Sequence, residues 1–240
     1  MEFKAKIRAI KQEAKGTKTF VFDKPPNLKY KSGQSFHFTV DLKYPDDRGV
    51  TRHFTLSSSP TEENIQFTTR IRPQSGFKKT LDEMSVGDEI KVHGLGGEFV
   101  LDSDTTSIPQ VFVAGGIGIT PFRSIFKYIV DKNLKVPVHL IYSNSIPEEI
   151  AFKEDLDKMA SRHTNMQITY TVTKPEESKQ KWSGHTSRVD KTLISQIASK
   201  YQNPVFWLCG PPAFVSAMED VLEEMKIPEE RIKIDKFSGY

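Results

Sequence analysis

The chain has 240 residues, of which 37% are hydrophobic and 27% are charged, so it suits one large globular domain or two smaller ones. Its single cysteine, Cys209, excludes an internal disulfide and an iron–sulfur cluster held by four cysteines. The formal net charge of +3 is too small to indicate nucleic-acid binding, which usually needs a concentrated basic patch. No apolar run is long enough to span a membrane, and the first residues lack the apolar core of a signal peptide, so we expect a cytoplasmic protein.

Short β-strands are predicted for the first part of the chain. Residues 2–10, EFKAKIRAI, alternate apolar and polar side chains, which is typical of a strand with one buried face. Similar segments follow between turn sequences such as KSG and SVGD; they are TKTFVFD, QSFHFTV, RHFTLSS, NIQFTTRIR and DEIKVHG. Strands at this spacing predict an antiparallel barrel or sandwich.

The second part of the chain alternates strands with helices. Its predicted strands are PQVFVA, VPVHLIYSNS, QITYTVTK, PVFWLCG and RIKIDKF, and amphipathic helical segments separate them. This alternation predicts βαβ units around a parallel sheet that is covered on both faces. The change of pattern near LDSDTTSIP predicts two domains, residues 1–103 and residues 104–240.

The segment VFVAGGIGITPF joins a buried strand to a helix through a glycine-rich turn. Gly115, Gly116 and Gly118 let the backbone turn tightly and approach a ligand, and the helix N-terminus that follows favours an anion. We expect Thr120 to cap that helix and Pro121 to be its first residue. The turn therefore predicts a pyrophosphate site, and the alternative is a glycine-rich turn that only reverses the chain.

The next predicted strand ends in LIYSNS, without the acid that holds the adenosine ribose in many NAD-binding proteins. Ser145 begins SIPE, which has the spacing of a capping box, so we expect it to cap the following helix, with a ribose contact as the second interpretation. No Lys or Arg stands at this tip to bind a 2′-phosphate. This favours NADH, although Arg188 in TSRVD could supply such a charge from the next connection.

In the predicted barrel, the segment RHFTLSS contains side chains that could bind a ligand. Arg52, Phe54 and Leu56 share one face of this strand, and His53 and Thr55 share the other. An arginine binds phosphate, an aromatic ring lies against a flat ring, and a threonine hydroxyl bonds a ring nitrogen. The same residues also fit an ordinary strand with a surface arginine, so the motif alone leaves both interpretations open.

The order of the motifs resembles the ferredoxin–NADP reductase superfamily over essentially the whole chain. The motifs that carry the resemblance are RHFTLSS, FTTRIR, SGFKKTL, VGDEIKVHGLGGEFVL, VAGGIGITP, FWLCGPP and DKFSGY. The resemblance implies an N-terminal antiparallel flavin-binding β-barrel, followed by an α/β parallel-sheet, Rossmann-like nucleotide-binding domain.

RHFT is similar to the R-x-Y-[ST] motif of the family. By this resemblance Arg52 binds the flavin phosphate, Phe54 stacks on the isoalloxazine in the place usually held by tyrosine, and Thr55 bonds near flavin N5. TRIRPQSGFKKTL resembles the second flavin element, whose G-x-x-S turn is altered here at Lys79 and Thr80. A pyrophosphate-binding turn implies FAD rather than FMN. The flavin-binding residues implied are Arg52, His53, Phe54, Thr55, Thr69, Arg70, Gly76 and Thr80.

GGIGITP resembles the nucleotide turn of the family, with Thr120 near the nicotinamide and flavin N5. CGPP matches the family's C-G-P, which places Cys209 beside the nicotinamide. Asp235 and Phe237 resemble the family's acid and aromatic; we expect Phe237 to cover the flavin, with Tyr240 as its rival. The catalytic residues implied are Thr55, Thr120, Cys209 and Phe237. The nucleotide-binding residues implied are Gly115, Gly116, Ile117, Gly118, Thr120, Ser143, Ser145, Arg188, Cys209, Gly210, Pro211, Phe237 and Tyr240.

The resemblance implies an FAD-dependent NAD(P)H oxidoreductase that passes a hydride from NADH or NADPH to flavin N5. Its electrons would go to a separate acceptor such as a ferredoxin or a flavodoxin, since the chain has no ferredoxin-like cysteine set and no globin domain. The alternatives are a flavin-containing relay or regulatory subunit of a larger redox complex and, more distantly, a flavin-free nucleotide-binding module.

Neither the basic residues of the first strand nor the histidines are assigned to a functional site. The basic face of the first strand, Lys4, Lys6 and Arg8, could dock an acidic acceptor, but we favour a role in solubility and in blocking edge pairing. The six histidines are scattered along the sequence without metal-ligand spacing, so no metal site is predicted.

Overall fold

The computed structural model describes residues 1–101 and 107–237. The predicted boundary between residues 103 and 104 lies outside the described residues, and so does Tyr240. The strands of the first part are β1 (Glu2–Ala14), β2 (Thr17–Asp23), β3 (Ser35–Thr39), β4 (Thr51–Thr55), β5 (Asn64–Arg70) and β6 (Glu89–Gly96). They pair antiparallel in the order β4-β3-β6-β1-β2-β5. An antiparallel bridge between Leu56 and Phe67 brings the two outer strands together and closes the sheet into the predicted barrel.

Aromatic rings fill the barrel, because alternate residues of each strand point inward. Phe67 stacks on Phe54 with ring centroids 4.4 Å apart, and on Phe20 at 5.2 Å. A short helix that the sequence did not predict, α1 (Gly76–Asp82), adds Phe77 and Leu81 to this core. The hydroxyl of Ser75 accepts a hydrogen bond from the helix and so fixes its start.

The second part of the chain is the predicted α/β unit. Its strands β7 (Gln110–Gly115), β8 (Val138–Asn144), β9 (Met166–Val172), β10 (Val205–Gly210) and β11 (Ile232–Lys236) form a parallel sheet in the order β11-β10-β7-β8-β9. Its helices are α2 (Ile119–Asp131), α3 (Lys153–Arg162), α4 (Lys191–Ala198) and α5 (Pro212–Glu224). Separate apolar clusters cover the two faces of the sheet, as the continuous apolar strands require. The predicted fold class is confirmed.

Two predicted helix caps are wrong. Helix α2 begins at Ile119 with Gly118 in the cap position, and the hydroxyl of Thr120 donates to the carbonyl oxygen of Ile117 at 3.2 Å. After β8, Ser145 caps no helix, because Ile146 precedes a short 3₁₀ turn and α3 starts only at residue 153. Both sequence patterns fail because a 3₁₀ turn stands where an α-helix was expected to begin.

Three histidines that are far apart in sequence lie side by side on the barrel. His37 on β3 pairs in register with His53 on β4 and with His93 on β6, and the ring centroids are 5.0 Å and 5.3 Å apart. Their spacing along the sequence gave no sign of this proximity, which follows from the pairing of β3 with β4 and β6. Within the described ranges, no three or more His, Cys, Asp or Glu side chains are arranged to hold a metal ion.

Helix α2 joins the parallel-sheet unit to the barrel. Arg123 donates to the carbonyl oxygen of Ser57 at 3.0 Å and pairs with Glu62, and the hydroxyl of Ser124 donates to the carbonyl oxygen of Ser58 at 2.6 Å. These buried contacts hold the glycine turn at the start of α2 against the barrel. Among the helices that the structure describes, none combines the length and apolar composition needed to cross a membrane.

Candidate active site

A cavity of about 140 Å³, here called the junction cavity, lies where the barrel meets the parallel sheet. Its polar lining comes from both units, because strand β4 ends beside the start of α2 and the end of β11. The described residues that line it are Arg48, Arg52, His53, Phe54, Thr55, Thr68, Lys78, Thr120, Asp235, Lys236 and Phe237. The structure thus brings together the predicted residues Arg52 to Thr55, Thr120 and Phe237, which are distant in sequence.

Arg52 is held in place by the loop before β4. Its guanidinium pairs with Asp46 and donates to the carbonyl oxygens of Arg48 and Gly49, each at 2.8 Å. Burial alone would raise the pKa of Asp46, but hydrogen bonds from Phe77 N–H and from other donors hold it well below its usual range. Asp46 therefore stays ionised and fixes the orientation of the arginine, which is the arrangement of a preorganised anion site.

Lys78 lines the junction cavity and is not among the residues predicted from the sequence. Its side chain is buried, its ammonium donates to Thr69 Oγ1, and Nζ stands 4.4 Å from the centroid of the Phe54 ring. Burial, and then the charge of Arg52 and of two further arginines, lower the pKa of Lys78 to about 7. The sequence marked only its neighbour Lys79, as a departure from the family's turn, and helix α1, which was not predicted, shows that Lys78 is the lysine that faces inward.

The remaining predicted flavin residues lie outside the junction cavity. Thr80 donates to the carbonyl oxygen of Gly76 inside α1, and a Cβ atom at Gly76 would lie 2.6 Å from the carbonyl oxygen of Tyr44. These residues therefore position helix α1. Arg70 lies at the second cavity described below, where it pairs with Glu149 at 2.9 Å.

Asp235 lies on the nucleotide side of the junction cavity, two residues before Phe237. Burial raises its pKa to about 6. The backbone N–H of Phe237 donates to the carbonyl oxygen of Gly210 at 2.9 Å, which ties this segment to the end of β10. Phe237 thereby lies on the same cavity as Thr55 and Thr120.

The residues of the junction cavity fit a flavin dinucleotide. Arg52 and Lys78 supply positive charge for a pyrophosphate, while Thr55 and Thr120 supply hydroxyls for polar ring atoms. Stacking of Phe54 on a flavin stays a prediction. One face of its ring already lies on Phe67 and the Lys78 ammonium stands over the ring, so stacking would require that ammonium to move.

The second cavity, about 380 Å³ and here called the glycine-turn cavity, lies at the carboxyl edge of the parallel sheet. The predicted residues that line it are Gly115, Gly116, Ser143, Ser145, Arg188 and Pro211. Asn144, Thr173 and Phe214 also line it and were not predicted. Ligands of parallel α/β sheets bind at this edge, so the cavity fits a nicotinamide dinucleotide.

The glycines of the turn have different reasons to be glycine. Gly116 has φ of +52°, a backbone conformation that L side chains rarely adopt. A Cβ atom at Gly118 would lie 2.6 Å from Gly210 N and would overlap the carbonyl group of Cys209. Gly118 therefore lets the start of α2 pack directly on the end of β10.

Cys209 is fully buried and belongs to the apolar cluster on one face of the sheet. Burial, and then the charge of Asp235, raise the pKa of its thiol, so it is not a thiolate nucleophile. Ile117, Gly118, Cys209 and Gly210 are not among the described residues that line either cavity. A contact between Cys209 and the nicotinamide stays a prediction.

The basic strand face of the barrel is partly neutralised by acids. Lys4 pairs with Glu89 at 3.6 Å and Arg8 pairs with Asp23 at 2.6 Å, and all four side chains are more than half exposed. Exposed pairs of this kind contribute little to stability. They reduce the positive charge that an acidic acceptor would meet on this face.

Comparisons with known proteins support both units. Residues 4–101 match the oxidoreductase FAD-binding domain family and residues 112–220 match the oxidoreductase NAD-binding domain family. The chain is 28% identical over 224 residues to a glycine betaine monooxygenase reductase subunit of Chromohalobacter salexigens, covering 90% of this chain and 60% of that one. It is 30% identical over 190 residues to an NADH-cytochrome b5 reductase 1 of Aspergillus clavatus, covering 76% and 60%.

Solved structures share the fold. A cytochrome P450 reductase from Amycolatopsis superposes with a TM-score of 0.84 at 19% identity, covering 99% of this chain and 70% of that one. A ferredoxin-NADP+ reductase from Plasmodium falciparum superposes with a TM-score of 0.79 at 18% identity, covering 98% and 96%. The FAD-binding and NAD-binding matches occur in the same order as the barrel and the parallel sheet and together span most of the chain, so the chain belongs to the oxidoreductases that combine an FAD-binding domain with an NAD-binding domain.

Proposed function

We propose that the protein takes a hydride from NADH or NADPH into FAD and passes the electrons to a separate acceptor. The observation that carries this proposal is the junction cavity, which combines the cations and Thr55 of the barrel with Thr120 and Phe237 of the nucleotide unit. The glycine turn at the start of α2 connects this cavity to the glycine-turn cavity. A nucleotide bound on the turn would therefore have its reactive end beside the flavin site.

Some residues of this chain would bind the two nucleotides, and others would orient their reacting rings. Arg52 and Lys78 would bind the FAD pyrophosphate, and Thr55 would hydrogen-bond the ring system. When bound, FAD supplies the atom that accepts the hydride and stores the two electrons. Thr120 and Phe237 would position the nicotinamide, because hydride transfer needs the reacting atoms about 3–3.5 Å apart.

Flavin reduction tests the proposed function. The purified protein, loaded with FAD, should show an oxidised flavin spectrum that bleaches when NADH or NADPH is added without air. Thr120→Val should slow the bleaching, since it removes the hydroxyl from the junction cavity, whereas Thr186→Val on the exposed loop should leave it unchanged. A correctly folded, FAD-loaded protein that stays oxidised with both nucleotides would overturn the proposal.

We propose a redox protein, ferredoxin or flavodoxin, as the acceptor. Some relatives are named as reductases of another redox protein, such as NADH-cytochrome b5 reductase 1. Stopped-flow mixing of the reduced protein with each acceptor, at low and high salt, tests this choice. Reduction of ferricyanide but of neither protein acceptor would contradict it.

A reductase subunit of a larger complex is the second candidate. Two kinds of relative are named as subunits, the glycine betaine monooxygenase reductase subunit and a Na(+)-translocating NADH-quinone reductase subunit of a Marinomonas species. The chain spans about 60% of the length of the first of these relatives. Rapid NAD(P)H oxidation by the protein alone with small-molecule acceptors favours the independent enzyme, and turnover that appears only with a co-purifying partner favours the subunit.

A further inference from the structure

Asn144, the last residue of β8, carries polar atoms that the fold leaves unsatisfied. Its side chain is only 5% exposed and lines the glycine-turn cavity. Neither its Oδ1 nor its Nδ2 has a hydrogen-bond partner among the described residues. The buried hydroxyl of the neighbouring Tyr142 likewise has no hydrogen-bond partner among the described residues. Buried amides are normally satisfied, so a ligand in this cavity is expected to meet Asn144.

The charge around this amide is positive. Arg188 lines the same cavity, is exposed, and makes no ion pair or hydrogen bond with another described residue. The one carboxylate among the described lining residues, Glu149, is paired with Arg70 at 2.9 Å. Arg188 therefore remains as a positive charge without a neutralising acid on the cavity wall.

The two nicotinamide dinucleotides differ at the adenosine ribose. NAD-binding sites of this sheet type place a carboxylate on the ribose 2′-hydroxyl, and NADP-binding sites place an arginine on the 2′-phosphate. Here the tip of β8 ends in Ser143, Asn144 and Ser145, so it offers neutral groups. The tip of the neighbouring strand β9 is followed by Thr173, which also lines the cavity.

We propose that this protein prefers NADPH, with Arg188 binding the 2′-phosphate and Asn144 hydrogen-bonding the adenosine ribose. The inference rests on the proposed function and revises the expectation of NADH that the β8 tip alone suggested. The sequence offered Arg188 as an alternative source of this charge, and the structure places it on the same cavity as Asn144. Because both residues would contact the adenosine part of the nucleotide and not the nicotinamide, the preference should appear in binding and leave the hydride step unchanged.

The nicotinamide-free probes 2′,5′-ADP and 5′-AMP test the preference without turnover. Titration calorimetry on the FAD-loaded protein should give binding of 2′,5′-ADP about 10- to 100-fold tighter than that of 5′-AMP, the gain expected for a hydrogen-bonded ion pair. Arg188→Ala should remove this gain and leave 5′-AMP binding unchanged. Arg162→Ala, an exposed arginine at the end of α3, is the matched control and should change neither.

Two variants of Asn144 test its hydrogen bond to the adenosine ribose separately. Asn144→Ala should weaken both probes equally, and Asn144→Asp should weaken 2′,5′-ADP while keeping 5′-AMP binding, because a carboxylate repels the phosphate and accepts from the 2′-hydroxyl. Equal affinities of the wild-type protein for the two probes, or an Arg188→Ala variant that keeps the gain, would overturn the preference. A flavin that neither NADH nor NADPH reduces would instead overturn the proposed function itself.

Discussion

Gly118 packs so closely on Cys209 that a Cβ atom at residue 118 would overlap the Cys209 carbonyl group. Gly118→Ala must therefore push the start of α2 away from the end of β10. We expect a loss of about 1–3 kcal/mol in the free energy of unfolding, as for other overpacked sites. Weaker nucleotide binding should accompany it, because the glycine turn moves with the helix. Denaturant unfolding and titration with 2′,5′-ADP measure the two effects.

Gly96→Ala is the matched control for this variant. Gly96 also lies in the described fold, but the nearest atom to its added Cβ would be 4.0 Å away, which is an ordinary contact. The control should unfold and bind as the wild-type protein does. A Gly118→Ala protein that matches Gly96→Ala in both measurements would show that the close packing is not required.

Lys78 should make FAD affinity depend on pH. The pKa of Lys78 is lowered to about 7 by burial, so above pH 7 the free protein holds it largely neutral. A bound pyrophosphate favours the charged form, so binding should take up a proton, and affinity should fall by up to about tenfold per pH unit above pH 7. Lys78→Met should bind FAD more weakly at pH 7 and lose this pH dependence. Fluorescence titration of the apoprotein with FAD from pH 6.5 to 9 measures both.

The neighbouring lysine provides the control for Lys78. Lys79 is exposed and does not line the junction cavity, so Lys79→Met should leave the FAD affinity and its pH dependence unchanged. At pH 8 the enthalpy of FAD binding to the wild-type protein should vary with the ionisation enthalpy of the buffer. For Lys78→Met it should be the same in every buffer. The proposal that Lys78 binds the pyrophosphate is wrong if FAD binding to the wild-type protein takes up no proton.

The sequence predicts the strands and the glycine turn because these depend on local pattern. Alternation along β1 and the strand–turn–helix pattern at residues 111–122 are visible in consecutive residues. Lys78 and Asn144 were missed for a different reason. Their roles depend on which side chains the tertiary fold buries beside a cavity, and neither residue type marks a site by itself. The cap at Thr120 failed because its hydroxyl bonds a carbonyl within the turn.

Asp235→Asn should stabilise the protein at neutral pH. Burial raises the pKa of Asp235 to about 6, above the ordinary value of 3.8, so the folded state holds a proton more tightly than the unfolded state does. Wild-type stability should therefore fall as the pH rises from about 4 to 6 and stay reduced above that range. Asparagine removes this cost, which we expect to be about 1–2 kcal/mol at pH 7.5 and to vanish towards pH 4.

Thermal unfolding of both proteins between pH 4 and 8 measures this difference, with Asp220→Asn on the exposed face of α5 as the control. The control should show no pH-dependent gain over the wild-type protein. If Asp235→Asn raises the free energy of unfolding equally at pH 4 and at pH 7.5, ionisation of the Asp235 carboxyl group is not the cause of the stabilisation.

Asp235 also lines the junction cavity, where its carboxyl group could deliver a proton. If it does, the pH profile of acceptor reduction by Asp235→Asn should lack an inflection near pH 6 that the wild-type protein shows.

Cys209→Ser should slow flavin reduction and leave FAD binding intact. Cys209 lies in register between Ala114 of β7 and Asp235 of β11, so it sits between the glycine turn and the segment that carries Phe237. A hydroxyl in this fully buried position needs a new hydrogen-bond partner, and the adjustment should displace the neighbouring strand ends. Hydride transfer is sensitive to such displacements, and we expect the rate of anaerobic flavin reduction to fall by about tenfold.

Cys209→Ala separates the loss of the thiol from the introduction of a hydroxyl. Alanine keeps the site apolar, so it should leave the strand ends in place and reduce the flavin faster than the serine variant does. FAD affinity should equal the wild-type value in both variants, because Cys209 is not among the residues that line the junction cavity. A serine variant that releases FAD, or one that reduces it at the wild-type rate, would remove Cys209 from the machinery that positions the nicotinamide.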